Sequence, residues 1–281
     1  MKIQRKPEWL RKKVPQGEQA AMRGLLSELK LNTVCQQALC PNIAECFSCG
    51  QATFLILGRD CTRQCSFCNV DKAPRPLPPD ADEPRRVAEA VLRLKLSHVV
   101  ITSPTRDDLD DGGAGHYAAT VAAIRERSPE AAIELLVPDF GGDGQALATV
   151  LAARPAILAH NLETVPRLYA VRQGADYRRS LQLLERAALA TDAAPTKSGI
   201  MLGLGETEAE VLAVLQDLRQ VGCSYLSIGQ YLAPSRRHQP VVEYILPERF
   251  ELWRQAALEI GFRHVESSPY TRSSYHAANY A

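Results

Sequence analysis

Seven of the eight cysteines in this 281-residue chain fall between Cys35 and Cys68. Their intervals suit iron-sulfur ligands. Cys61, Cys65 and Cys68 form C-x3-C-x2-C in CTRQCSFC. Three thiolates on so short a loop can hold three irons of a [4Fe-4S] cubane and leave the fourth without a protein ligand. Cys35, Cys40 and Cys46 form C-x4-C-x5-C in CQQALCPNIAEC, a second three-thiolate set whose last iron must be satisfied by something else. The alternative for either set is a zinc site with a ligand elsewhere, but structural zinc sites usually pair C-x2-C knuckles. Here the knuckle Cys65/Cys68 is preceded by a lone cysteine at a longer interval. Cys49 reads as a bystander although Cys46 and Cys49 spell CxxC, and Cys223 as a small buried residue.

The rest of the composition bounds what this chemistry can serve. At 46% hydrophobic and 23% charged, the chain can bury a sizeable core. The formal net charge is +1, so there is no global field to attract nucleic acid. The basic run Lys2, Arg5, Lys6, Arg11, Lys12 and Lys13 reads as a solvated arm. Neither a membrane-length apolar run nor a secretory signal is seen, so a soluble cytoplasmic protein with reduced thiols is expected.

From residue 52 onward, short apolar runs alternate with segments of helical period, the pattern of βα units on a parallel sheet. Six strands are predicted, at 52–58, 98–103, 131–137, 155–161, 197–203 and 224–232. One helix starts after Asp82 and Glu83 with Pro84 in its first turn and turns Ala88, Val91 and Leu92 inward. Another, 207–221, has a Thr207/Glu210 capping box and a face of Leu212, Leu215 and Leu218. A third, 248–260, stops at Gly261. The fold class is therefore α/β, a partial or six-stranded (β/α)6 barrel over 52–262, with extensions 1–51 and 263–281 closing over its mouth; an open doubly wound sheet would give a similar string. Ligands belong at the strand C-terminal ends, where TSPTRDD, PDFGGD, HNLE and GLGE gather polar side chains. The proline-rich 73–80 reads as a stiff loop.

The C-x3-C-x2-C set, with aromatic Phe67 before its last cysteine, resembles the motif of the radical S-adenosylmethionine superfamily. There the open iron chelates S-adenosylmethionine, and one electron then releases a 5'-deoxyadenosyl radical. With the second triad upstream, and with KPEWL, CPNIAEC, TRDDLDDGG, HNLETVPRLY, YRRSL, KSGIMLGLGE, IGQYL and RSSYHA along nearly the whole chain, the sequence resembles the lipoyl synthases. That resemblance implies two [4Fe-4S] clusters, the one on Cys35, Cys40 and Cys46 being the sulfur source. It also implies that the Arg272-Ser273-Ser274-Tyr275 motif supplies a serine oxygen to the fourth iron. Ser274 is the expected ligand and Ser273 the alternative; a hard oxygen on a soft cluster is readily displaced. To reach, the tail must fold back onto the N-terminal segment, which predicts ordered termini.

The implied reaction inserts sulfur at carbons 6 and 8 of an octanoyl group on a lysine of a carrier, either a lipoyl domain of an oxoacid dehydrogenase or the glycine-cleavage H protein. A ferredoxin or flavodoxin would donate electrons to a monomeric enzyme. Phe47, Gln51 and Asn69 depart from the family's usual tryptophan, threonine and aspartate. Asn161 and Glu163 are candidate contacts to S-adenosylmethionine, or alternatively a helix start. The GLGE of 203–206 allows close backbone approach to the adenine, or is a plain turn. The histidines read as partly buried or surface imidazoles without a metal. A methylthiotransferase would be expected to add an RNA-binding domain, and no strongly basic module is present.

Overall fold

The structure is a computed structural model, and it describes residues 6–12 and 19–280. Lys2, Arg5 and Lys13 of the basic arm lie outside the described residues. The strands are β1 (Asn32–Thr33), β2 (Thr53–Leu55), β3 (Asp60–Cys61), β4 (Asp71–Lys72), β5 (His98–Thr102), β6 (Ala132–Leu136), β7 (Ile157–Ala159), β8 (Thr196–Leu202), β9 (Tyr225–Gln230) and β10 (His264–Ser268). Among them run the helices α1 (Gln19–Glu28), α2 (Val34–Gln37), α3 (Ile43–Ser48), α4 (Glu83–Leu94), α5 (Ala114–Arg127), α6 (Gly144–Ala152), α7 (Tyr177–Ala188), α8 (Glu208–Gln220) and α9 (Pro247–Ile260).

Eight strands form one sheet in the order β1-β2-β5-β6-β7-β8-β9-β10, parallel except for β1, which runs antiparallel on β2. Spatial order follows chain order from β2 to β10, whereas a doubly wound sheet would reverse at a switch point. The doubly wound alternative therefore does not hold. β5, β6 and β7 are nearly continuous apolar runs because parallel strands are covered on both faces; Val99, Ile101, Ile133, Leu135, Ile157 and Leu158 are all buried.

Several boundaries differ for local reasons. The first predicted strand ends early because Leu57 and Gly58 take positive φ (67° and 86°) and turn the chain toward the cysteine loop. β10 went unpredicted: HVESS has one buried apolar residue, Val265, and pairs in full register with β9. The sheet thus takes in residues first assigned to the tail extension.

The helices start and stop as their caps predict, but two faces are rotated. α4 buries Val87, Ala88, Ala90 and Val91, while Leu92 points outward. α8 has the Thr207/Glu210 capping box, yet its inner face is Val211, Val214, Leu215 and Leu218, with Leu212 exposed. α9 ends in a left-handed Gly261 at φ 107°. One core lies between β2, β5, β6 and α4 to α6, and a second between β8 to β10 and α8 and α9. Among the described residues no helix is long and apolar enough to cross a membrane.

Candidate active site

At the strand C-terminal ends lies a cavity of about 530 Å³ lined by all six cysteines of the two triads, by Phe67, Asn161 and Glu163, and by Ser273 and Ser274. The six cysteines, Phe67, Asn161, Glu163 and the serine pair are thus in one place. Within each triad the thiols are near enough to feel one another's charge: Cys46 senses Cys35 and Cys40, and Cys65 senses Cys61 and Cys68.

The loop carrying Cys61, Cys65 and Cys68 is closed by the short β3–β4 ladder, in which Cys61 registers with Lys72. Ala73 N donates to Cys61 O (3.1 Å), Cys68 N to Cys65 O (3.2 Å), and Ser66 N to Val171 O (2.9 Å). Beneath it Arg63 bridges Asp107 (2.8 Å) and the fully buried Asp139 (2.6 Å), which also accepts from Arg179 (2.8 Å). The other triad is set by two short helices. Thr33 caps α2, which holds Cys35; Cys40 N donates back to Cys35 O (3.0 Å); α3 carries Cys46. Asn69 Nδ2 donates to Gln37 O (2.7 Å), tying the two loops together. An aspartate there could not donate, so this departure from the family pattern adds a bond.

The tail returns to the N-terminal segment as expected. Asn42 Nδ2 donates to Tyr270 O (2.7 Å), Tyr275 hydroxyl to Glu45 Oε1 (2.8 Å), and Lys12 Nζ to Asn42 Oδ1 (2.7 Å) and Glu45 Oε2 (2.5 Å). Lys12 is therefore not a solvated arm residue. Ser273 Oγ accepts from Asn161 Nδ2 (2.6 Å), which leaves the Ser274 hydroxyl without a hydrogen-bond partner among the described residues. Glycine makes this docking possible. A Cβ on Gly229, in β9, would lie 2.1 Å from the Thr271 carbonyl oxygen, so backbone rather than a side-chain tip would have to move. Gly229→Ala is expected to cost ~1–3 kcal/mol by overpacking and to free residues 269–275, read as faster limited proteolysis there with the sheet intact.

Charge is distributed unevenly around the cavity. Burial pushes the Cys35 and Cys65 thiols up to about 11 and Cys46 up to about 12, so without iron they keep their protons at neutral pH. Iron binding must displace those protons. Burial, with Arg172 adding to it, lowers His160 to about 4, and its Nδ1 pairs with Val137 O (2.8 Å). It is a neutral buried imidazole.

Glu163 is not a helix start. Its φ is 66°, and the following PRLYAV segment is a 3-10 helix, Pro166–Val171. Its half-buried carboxyl is pushed up by desolvation, opposed by Arg172, Asn161 and Arg272. Asn161 Nδ2 also reaches Glu163 Oε1 (3.0 Å), while Asn161 Oδ1 is buried with no partner. A buried acceptor left open beside the cysteine loop suits a polar ligand. The GLGE segment stays out of the cavity. Glu206 accepts from Gly203 N (2.5 Å) and Leu204 N (2.9 Å), and the chain's own Gln230 and Glu243 fill the space at Gly203; this is a strand-to-helix turn. Arg172 and Arg272, which flank Glu163, were not singled out as contacts; only the position of Arg272 beside the serine pair signalled it.

Desolvation opposes ionisation of Asp139, but Arg63's hydrogen bond and charge outweigh it and hold the carboxyl far below the ordinary range. A folded-state value below the unfolded one stabilises above about pH 4 and loses that contribution as pH falls further. The urea midpoint of the wild type should therefore drop below about pH 4 more steeply than that of Asp139→Asn.

Cys49 is exposed and caps α3, and Cys223 is buried with its thiol toward Tyr225 O (3.4 Å), both in line with a non-ligand role. Phe47 is buried in the core. Among the described residues no three Cys, His, Asp or Glu side chains gather around one point as ligands of a single ion would. A cubane differs in that each thiolate binds its own iron.

The family model of the Radical SAM superfamily matches residues 55–218. The chain is 85% identical over 281 residues to the lipoyl synthase of Trichlorobacter lovleyi, covering all of both chains. It is 65% identical over 280 residues to that of Geobacter sulfurreducens (100% of this chain, 92% of the relative). It is 53% identical over 279 residues to that of Chlorobium limicola (99% and 95%). Among solved structures, methylornithine synthase superposes with a TM-score of 0.56 at 13% identity over 75% of this chain and 69% of the other. Streptococcus suis SuiB bound to S-adenosylmethionine gives 0.57 at 11% identity over 80% and 52%. These two likenesses concern the fold alone.

Proposed function

Because the chain belongs to the lipoyl synthase family of the radical SAM superfamily, we propose that its two triads serve as two separate cluster cradles facing one substrate cavity. The superfamily implies a [4Fe-4S] cluster and S-adenosylmethionine, and the family a lipoyl-domain substrate carrying an octanoyl group. Cys61, Cys65 and Cys68 hold the cluster with an open iron. Cys35, Cys40 and Cys46, completed by Ser274, hold the second. When bound, these groups supply an electron for homolysis of S-adenosylmethionine, a hydrogen-abstracting radical, and sulfide for carbons 6 and 8.

The protein's own part is placement and exclusion. A partial barrel built on the sheet, with the segment before β2 and the tail after β10 across its mouth, keeps the two triads in one water-poor space. Asn161 and Glu163 offer a carbonyl and a carboxyl to the polar end of S-adenosylmethionine. Arg172 and Arg272 balance the negative charge gathered there. Leu39, Pro41, Leu232 and Pro234 line the same cavity and suit an acyl chain. Since Asn161 occupies Ser273, Ser274 is the hydroxyl free to reach iron. Eight free thiols fit a reducing, cytoplasmic setting; a ferredoxin or flavodoxin donor and a monomeric state complete the reading.

The single observation carrying this is that both triads and Ser274 line one cavity. Anaerobically reconstituted protein should hold about eight irons, the content of two cubanes. Incubated once with S-adenosylmethionine, reductant and an octanoylated carrier, it should yield 5'-deoxyadenosine and a doubly thiolated acyl chain. About four irons, or 5'-deoxyadenosine without thiolated product, would overturn it.

A further inference from the structure

The tail does not end at the cavity. Six residues past Ser274, Tyr280 is buried (3% exposed) at the opposite end of the sheet, where β8, β9 and β10 begin. Lys197, Tyr225 and His264 occupy one register row across those strands. The Tyr280 ring lies on that row, its centroid 3.7 Å from Lys197 Nζ, 5.5 Å from the Tyr225 ring and 4.7 Å from the His264 ring. Its hydroxyl donates to Leu226 O (3.1 Å), and the neighbouring Asn279 Nδ2 donates to Glu266 Oε1 (3.2 Å). Lys197 is held in place by Glu134 (3.0 and 3.2 Å), with both side chains almost wholly removed from solvent.

A desolvated ammonium over an aromatic face is among the stronger forms of this contact. Residues 275 to 280 are therefore pinned at both ends, by Tyr275 on Glu45 at the cavity and by Tyr280 on Lys197 at the far side. Without the second pin, the tail after Tyr275 would be free to sample many positions, and ordering it anew would cost conformational entropy that works against the contacts holding the serine pair.

We propose that Tyr280 is a positioning residue, a latch that fixes the tail across the sheet and so sets where Ser274 stands in the cavity. This rests on the reading of Ser274 as the ligand that completes the second cradle.

Tyr280→Leu keeps an apolar side chain but loses the π face, some volume and the hydroxyl; Tyr280→Phe keeps the face and loses only the hydroxyl. Limited proteolysis of the full-length protein should cut residues 269–280 of Tyr280→Leu about ten- to thirtyfold faster, the factor for losing one desolvated cation–π contact, and should leave Tyr280→Phe near wild type. In reconstituted protein, Mössbauer spectra should show the oxygen-ligated iron site diminished in Tyr280→Leu and in Ser274→Ala but retained in Tyr280→Phe. In Tyr280→Leu, reductive cleavage of S-adenosylmethionine, which needs the other triad, serves as the folding control and should be unchanged. Wild-type proteolysis and a wild-type iron spectrum in Tyr280→Leu would overturn the latch. An unchanged spectrum in Ser274→Ala would instead overturn the serine reading beneath it.

Discussion

Cys40→Ala protein is expected to cleave S-adenosylmethionine at close to the wild-type rate and to release no thiolated product, whereas Cys65→Ala protein should do neither. The asymmetry follows from how the two loops are built. Cys65 sits on a loop closed by the β3–β4 ladder and supported by Arg63 on Asp107 and Asp139. None of those supports uses the segment that carries Cys40. Conversely, Cys40 is placed by the turn after α2, where Leu39 takes a φ of 51°. The main direct tie between the two loops is the Asn69 to Gln37 hydrogen bond, whose loss costs about 1 kcal/mol. Each variant should hold about four irons instead of about eight. Iron content, 5'-deoxyadenosine and acyl products measured in parallel decide it. Loss of 5'-deoxyadenosine in Cys40→Ala would mean that the triads act as one unit.

How far the residues announced this arrangement depended on how local each signal is. The thiol intervals could be read directly because a cubane is held by neighbouring cysteines on one short loop. Strands β5 to β7 were legible because burial on both faces leaves a nearly unbroken apolar run, and β8 and β9 from their shorter apolar stretches between turn signals. β10 was not, since HVESS has a single buried apolar residue and looks like a polar tail. The rotation of α4 and α8 shows the limit of three- and four-residue spacing: Leu92 (four after Ala88) and Leu212 (three before Leu215) satisfy it, yet the inner face is fixed by the strands beneath.

The serine pair illustrates the opposite case. Nothing in the physics of Ser273 and Ser274 points to iron, and only resemblance did so. The structure supplies what resemblance lacked, namely the Gly229 gap that admits the Thr271 carbonyl and the Asn161 bond that separates the two serines. Glu163 was legible as a residue near the site but not in its conformation. A left-handed non-glycine backbone at a ligand cavity is strain that the surrounding structure must hold in place.

Lys197→Met should be the most destabilising single change outside the cavity, by about 3–5 kcal/mol, because it strands Glu134 in the interior. Lys197 and Glu134 are 1% and 0% exposed and 3.0 Å apart. Burial alone would push the ammonium down, and the carboxylate opposes that. With the lysine gone, the nearest other basic side chain is His98, whose Nε2 is 3.5 Å from Glu134 Oε2, too far for a good hydrogen bond. A carboxylate left buried without its cation is driven to bind a proton, which is proton uptake by the folded state. A folded state that binds more protons than the unfolded one loses stability as pH rises. The deficit of Lys197→Met should therefore shrink as pH is lowered from 8 toward 5, while Lys197→Met/Glu134→Leu, which removes both charges, should recover much of the stability and show no such slope. Urea titrations of the three proteins across that range test this. A deficit independent of pH would place the cost in lost packing around Tyr280 rather than in the stranded carboxylate.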